Sequence, residues 1–206
     1  MLWSPDTPRL YTASTRLFVE GKEVDAYNTR FGIRKIEYIP EKGFFLNGKV
    51  TKFKGVCNHH DLGPLGAAVN EAALRHQVTL LKDMGANAIR TAHNMPAPEL
   101  VRICDEMGMM LMVESFDDWG FRPKSENGYG KLFKDWAERD VTNMVKQYRS
   151  HPSVVMWSIG NEVPSQWGLD GVSELMMLQE LVHWLDPTRP VTCGMDQIGA
   201  VLDLSL

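Results

Sequence analysis

The sequence predicts an α/β chain built on parallel strands, and three observations carry that expectation. From residue 52 onward, short apolar β-type runs alternate with amphipathic helical segments. The first two helical segments stop at glycines, Gly85 and Gly108. Each apolar run leads directly into polar residues, as strand ends facing a common cleft would.

Residues 9–39 read as strands: Leu10-Tyr11-Thr12 and Leu17-Phe18-Val19 lead to the polar turn Glu20-Gly21-Lys22-Glu23, and β-type sequence continues through Phe31 to Ile36-Glu37-Tyr38. A full sandwich needs about seven strands over some 100 residues. Only its last strands fit before Pro40. Asn47-Gly48 between β-type flanks is a hairpin signal, because both residues tolerate the positive φ of a tight turn. Lys52-Phe53-Lys54-Gly55-Val56-Cys57 is then a candidate first strand of the repeating part.

The spacing of Leu74, Val78, Leu81 and Met84 predicts a helix over about 70–84. Ala88-Ile89-Arg90-Thr91 follows as strand two. Pro98 suits a first helical turn, with Leu100, Ile103, Cys104 and Met107 as the buried stripe. Strand three, Met109-Met110-Leu111-Met112-Val113, is almost wholly apolar, as a strand covered on both faces should be. A long connection over 115–131 precedes a helix carrying Ala137, Val141, Met144, Val145 and Tyr148. Strand four covers 154–159, and a fourth helix carries Leu175, Leu178, Val182 and Leu185. Asp186-Pro187-Thr188-Arg189-Pro190 breaks it before strand five, Val191-Thr192-Cys193. Five strands and four helices permit an open doubly wound sheet or part of a (β/α)8 barrel. No Gly-x-Gly-x-x-Gly or phosphate loop follows strand one, which weakens a dinucleotide-binding open sheet.

Composition narrows the function classes. With 22 basic and 26 acidic residues the net charge is −4, and no basic footprint for nucleic acid or anionic membrane stands out. Cys57, Cys104 and Cys193 are odd in number and far apart, so the reading is reduced, mostly buried thiols, with neither a disulfide framework nor a zinc site. No run reaches the length of a membrane span and no signal peptide is visible, although the opening reads like the interior of a longer protein; the cytoplasm and the periplasm both remain open as compartments.

The chemistry concentrates at the strand ends: Asn58-His59-His60-Asp61, then Arg90-Thr91-Ala92-His93-Asn94, then Glu114-Ser115-Phe116-Asp117-Asp118-Trp119, then Asn161-Glu162, then Met195-Asp196. Polar groups of this kind, with Trp119 and Trp167 as aromatic platforms, fit a sugar pocket, where hydroxyls need hydrogen-bond partners and the ring face needs apolar cover. Glu162, directly after the apolar run Val154-Val155-Met156-Trp157, is the candidate general acid, since a carboxylate projecting from a rigid edge into a cleft is partly desolvated and its pKa rises. Glu114 and Asp196 are the other strand-end acids within reach.

Several stretches resemble glycoside hydrolase family 2, which contains β-galactosidases, β-glucuronidases and β-mannosidases. They are Phe53-Lys54-Gly55-Val56 with Asn58-His59-x-Asp61, Asn87-Ala88-Ile89-Arg90-Thr91-Ala92-His93, Cys104-Asp105-Glu106-Met107-Gly108, and His151-Pro152-Ser153-Val154 through Trp157-Ser158-Ile159-Gly160-Asn161-Glu162. The resemblance implies that 1–40 closes an immunoglobulin-like sandwich. It implies that 41–206 is the front of a catalytic (β/α)8 TIM barrel, with about five of its eight strands. It implies Glu162 as acid/base, Asn161 as partner of the sugar 2-hydroxyl, His93 as a sugar contact, and Arg90 as a pocket arginine. His59 and Asp61 would line the pocket floor, Asp117 and Trp119 would stand at specificity positions, and Glu114 would be a structural acid. No cofactor is implied, and these residues give no support to an assisting magnesium or sodium ion.

A retaining mechanism needs a second carboxylate about 5 Å from the first, as nucleophile. The resemblance places it on a seventh strand, beyond Leu206, so the isolated chain is expected to show little or no turnover. The expected function is that of a retaining exo-glycosidase hydrolysing β-glycosidic bonds, with β-galactosides favoured as substrate. Departures at Cys57-Asn58-His59-His60-Asp61 and Val163-Pro164-Ser165-Gln166-Trp167 blur the sugar. A non-catalytic carbohydrate-binding or scaffold module is the alternative. A metal-dependent hydrolase using His59 and His93 is weaker, since the two lie on separate strands without His-x-His spacing. An open barrel would also expose strand edges and apolar interior, and self-association is expected.

Overall fold

The computed structural model describes residues 1–197; residues 198–206 of the expected barrel segment lie outside the described residues. β1 (Tyr11–Val19) and β2 (Lys22–Phe31) form an antiparallel hairpin. Its turn places Glu20 at φ 49° and Gly21 at φ 80°, the two positive values that make a type I′ turn and suit the twist of the flanking strands. Both faces of this hairpin are exposed along almost its whole length.

β3 (Ile36–Ile39), β4 (Gly43–Leu46) and β5 (Lys49–Val50) form a separate antiparallel sheet. Its second turn is the expected Asn-Gly, with Asn47 at φ 53° and Gly48 at φ 79°. A division of the chain at residue 40 does not fit these pairings. Ile36 pairs with Leu46 and Ile39 with Gly43, so that boundary cuts a hairpin, and Ile36-Glu37-Tyr38 goes with β4 and β5, not with β1 and β2. The reason is burial: Phe44 and Leu46 join Trp3, Ala88, Met110 and Val155 in one apolar cluster, and the Tyr38 hydroxyl donates to the Val155 carbonyl at 2.8 Å.

β6 (Gly55–His59), β7 (Ala88–Ala92), β8 (Met110–Glu114), β9 (Val154–Asn161) and β10 (Val191–Gly194) form one parallel sheet whose strand order follows the chain. That order decides between the two closures. A doubly wound sheet reverses its strand order at a switch point. Successive right-handed crossovers running in one direction instead place every helix on the same face, as in the staves of a barrel. The described strands are therefore consecutive staves of a partial (β/α)8 barrel.

The helices begin and end where local chemistry dictates. Before α1 (Glu71–Asp83), the Asn70 side chain accepts from the Ala73 amide at 3.0 Å, and Gly85 follows at φ 93°. α2 (Pro98–Met107) has Pro98 in its first turn and Gly108 at φ 72°, whose amide donates to the Cys104 carbonyl at 3.0 Å. α3 (Gly130–Tyr148) and α4 (Leu169–Leu185) complete the outer layer. Alternation along the strands sorts the side chains. Ile89, Leu111, Val113 and Trp157 point at the helices and are fully buried with Val78, Ile103, Val141 and Leu178. On the other face, Cys57 is exposed and Met112 and Met156 are half-buried, because the described residues leave the barrel interior open. Among the three cysteines, Cys104 is buried and Cys193 half-buried, so the expectation of mostly buried thiols fails at Cys57. No described helix is long and apolar enough to cross a membrane.

Candidate active site

Parallel pairing brings the C-terminal ends of β6 to β10 to one edge, and the polar residues there form a network centred on Glu114. This carboxylate is completely buried. One oxygen accepts from Arg90 Nε at 2.7 Å and from the Ser158 hydroxyl at 2.6 Å, with Arg90 Nη2 in ion-pair contact at 2.6 Å; the other meets His93 Nδ1 at 2.6 Å. A buried anion of this kind persists only when its charge is paired and its oxygens are hydrogen-bonded. Glu114 meets both conditions. Fully buried and with both oxygens engaged, it is a positioning residue.

Arg90 carries the pairing outward. Its Nη2 also donates to Asn161 Oδ1 at 2.8 Å. Burial alone would lower the Arg90 pKa, but the hydrogen bond and the charge of Glu114 outweigh it and raise it, so the guanidinium stays a cation. Because Oδ1 of Asn161 accepts from Arg90, its Nδ2 is the end of the amide left to donate to a ligand. His93 is handled the same way: Nδ1 is tied to Glu114, which leaves Nε2 outward. The His59 ring meets His93 edge-on at 5.1 Å between centroids. Burial and the nearby Glu114 charge push the Cys193 thiol up to about 12, so it stays neutral beside this network.

Glu162 stands one residue beyond Asn161 with φ at 50°, and it is exposed. Its amide donates to the Gly194 carbonyl at 2.6 Å. The partial desolvation expected from the sequence is not supplied by the described residues, since the walls that would enclose this carboxylate are not among them. Gly194 is a contributor the sequence reading missed. A Cβ there would lie 2.8 Å from Arg90 Nη2 and 3.0 Å from Asn161 Oδ1, so only glycine lets β10 approach the pair. Ser158 and Thr91, whose hydroxyl accepts from the Glu114 amide at 3.0 Å, were likewise missed. Both read as ordinary strand residues, and only strand register reveals their partners.

The other expected site residues divide. Asp117 is half-buried and faces Lys124 at 3.7 Å. Asp61 is exposed and accepts from the Gly63 amide at 2.7 Å, which shapes the loop after β6. Trp119 needs correction. It is fully buried, donates from Nε1 to the Ile159 carbonyl at 2.9 Å and packs over Gly160, where a Cβ would meet its ring at 2.9 Å. It is a wedge under β9 and offers no face to a sugar. Trp167, at the end of the 3-10 turn Pro164–Trp167, remains 44% exposed. Among the described residues no three His, Cys, Asp or Glu side chains converge to hold a metal ion.

Residues 38–205 match the family model described as glycosyl hydrolases family 2, TIM barrel domain, and residues 1–34 match the one described as glycosyl hydrolases family 2. The chain belongs to glycosyl hydrolase family 2. A β-galactosidase of Bacteroides ovatus, BoGH2A, is 43% identical over 95% of this chain and 27% of its own length. A β-glucuronidase of Streptococcus agalactiae is 37% identical over 93% of this chain and 33% of its own. The crystal structure of a family 2 member from Bacteroides cellulosilyticus superposes with a TM-score of 0.92 at 41% identity, covering 96% of this chain and 25% of that one. The chain thus spans between a quarter and a third of the length of these relatives. Of these relatives, one is named a β-galactosidase and another a β-glucuronidase.

Proposed function

We propose that this chain carries the acid/base side of a retaining β-glycosidase that prefers β-galactosides, and that the nucleophile belongs to sequence beyond residue 206. Glu162 protonates the glycosidic oxygen as the bond to the anomeric carbon breaks, and later deprotonates the water that hydrolyses the glycosyl-enzyme. Asn161 donates through Nδ2 to the 2-hydroxyl, and His93 presents Nε2 to another hydroxyl. Arg90 and Glu114 hold both in place.

The observation that carries this reading is the contrast between the two strand-end glutamates. Glu114 is buried with every oxygen engaged. Glu162 lies on the same edge, exposed, next to an amide whose donor end has no partner among the described residues. The preference for galactosides rests on the β-galactosidase relative and is the finer part of the proposal.

The test compares nitrophenyl β-galactoside with nitrophenyl β-glucuronide, using the complete polypeptide that carries this chain and its Glu162→Gln variant. Galactoside turnover should exceed glucuronide turnover, and the variant should lose roughly 10²- to 10⁴-fold in kcat, the usual range for a positioned proton donor. An unaffected variant would overturn the role of Glu162. Residues 1–206 alone should give no turnover; activity there that Glu162→Gln abolishes would show that the second carboxylate lies within this chain.

A further inference from the structure

The peptide joining Asn161 to Glu162 is held by both of its polar groups. Its N–H donates to the Gly194 carbonyl on β10 at 2.6 Å. Its C=O accepts from the Lys124 ammonium at 2.7 Å. The first bond belongs to the sheet. The second comes from the connection between β8 and α3, far from β9 in sequence, and nothing about strand pairing requires it.

That connection is built to deliver the ammonium. Asp118, almost fully buried, accepts from the Lys124 amide at 2.7 Å and from the Gly130 amide at 2.9 Å, folding the loop on itself. Glu174 on α4 accepts from the Phe121 amide at 2.9 Å, and the Ser165 hydroxyl donates to the Phe121 carbonyl. The Trp119 wedge anchors the start of the loop under β9. The Lys124 side chain is 27% exposed, and among the described residues the carboxylate beside it is Asp117 at 3.7 Å. A half-open ammonium directed at a main-chain oxygen gives up hydration for that contact, so the bond must be fixed by the loop.

From these contacts we propose that Lys124 is a positioning residue for Glu162. By holding the 161–162 peptide plane from outside the sheet, it sets the direction in which the Glu162 side chain leaves a backbone already in the left-handed region. This rests on the acid/base reading of Glu162.

Protonation of the leaving group matters in proportion to how poor that group is. A misaimed acid therefore penalises phenyl glycosides and spares 2,4-dinitrophenyl glycosides, whereas general loss of structure lowers both alike. In the complete polypeptide, Lys124→Met should lose roughly tenfold or more in kcat/KM, which reports cleavage of the glycosidic bond and not hydrolysis of the shared glycosyl-enzyme, on the phenyl glycoside and less than about threefold on the dinitrophenyl glycoside. Glu162→Gln, assayed in parallel, should show the same discrimination more strongly. Equal losses on both substrates, or none, would overturn the role of Lys124. So would a loss confined to glucuronides whatever the leaving group, because the ammonium would then be reading charge on the sugar. If Glu162→Gln discriminates and Lys124→Met does not, the positioning role alone fails. If Glu162→Gln itself does not discriminate, the acid/base reading fails and the inference with it.

Discussion

Arg90 is the residue on which the site's electrostatics turn, because it neutralises a fully buried carboxylate and fixes the amide next to Glu162. Arg90→Met takes the guanidinium from the buried Glu114, leaving it only His93 and Ser158, and should cost about 3–5 kcal/mol of folding stability in urea denaturation. Gly194→Ala acts at the same place by volume. Its Cβ would sit 2.8 Å from Arg90 Nη2, and displacing that group should cost about 1–3 kcal/mol, with weakened substrate binding as the second readout. At this scale the sequence was informative about identity and silent about geometry. The Asn161-Glu162 pair, Arg90 and His93 could be picked out because a strand-end polar residue in a family motif is conspicuous. Lys124 and Gly194 could not. One lies in a long connection whose path has no periodicity, and the other is a glycine at a strand end, which looks the same whether it is there for a turn or for a close approach.

Helix ends show the same division between local and distant causes. Gly85 and Gly108 both follow a helix with positive φ, 93° and 72°. Their surroundings differ. A Cβ at Gly85 meets nothing within 4 Å, whereas at Gly108 it would lie 2.3 Å from the Pro5 carbonyl oxygen. Gly85→Ala should cost about 1 kcal/mol from conformation alone, and Gly108→Ala clearly more, with the excess reporting that the N-terminal strap rests on α2. Calorimetric midpoints of the two variants measure this. The break after α4 is likewise more than a proline effect. Asp186 is buried, accepts from Trp157 Nε1 at 2.8 Å and Arg189 Nη1 at 2.6 Å, and accepts from the Thr188 hydroxyl. Burial alone would raise its pKa; the Thr188 bond, the Arg189 charge and the Trp157 and Arg189 bonds together lower it. A carboxyl with a depressed folded-state pKa contributes its stabilisation above its unfolded value of about 3.9 and loses it as pH falls through the folded value. Stability should therefore fall as the solution is acidified below about pH 4, and Asp186→Asn, less stable at pH 7, should show a shallower decline there.

Across the whole molecule, the two faces of the parallel sheet have different fates. The outer face is sealed by four helices, while Cys57, Met112 and Met156 on the inner face border a cavity of about 180 Å³ that opens to solvent. Apolar surface left open in this way drives association. Residues 1–206 in isolation should sediment as a dimer or larger species, and a monodisperse monomer would contradict this. Local spacing was enough to establish the α/β class, the helix stops, the Asn-Gly hairpin and the family, because each rests on a short-range signal: the 3.6-residue period, the apolar strand, glycine at a helix end, and ordered motifs. Long-range packing was needed to learn that the strands run in chain order, that β3 belongs with β4, and that Trp119 is a buried wedge and no sugar platform. It was needed, too, to learn that Glu114, not Glu162, is the carboxylate enclosed by the network. Those outcomes depend on register and on which side chains meet across strands, and such contacts join residues tens of positions apart whose local sequence carries no trace of the partner.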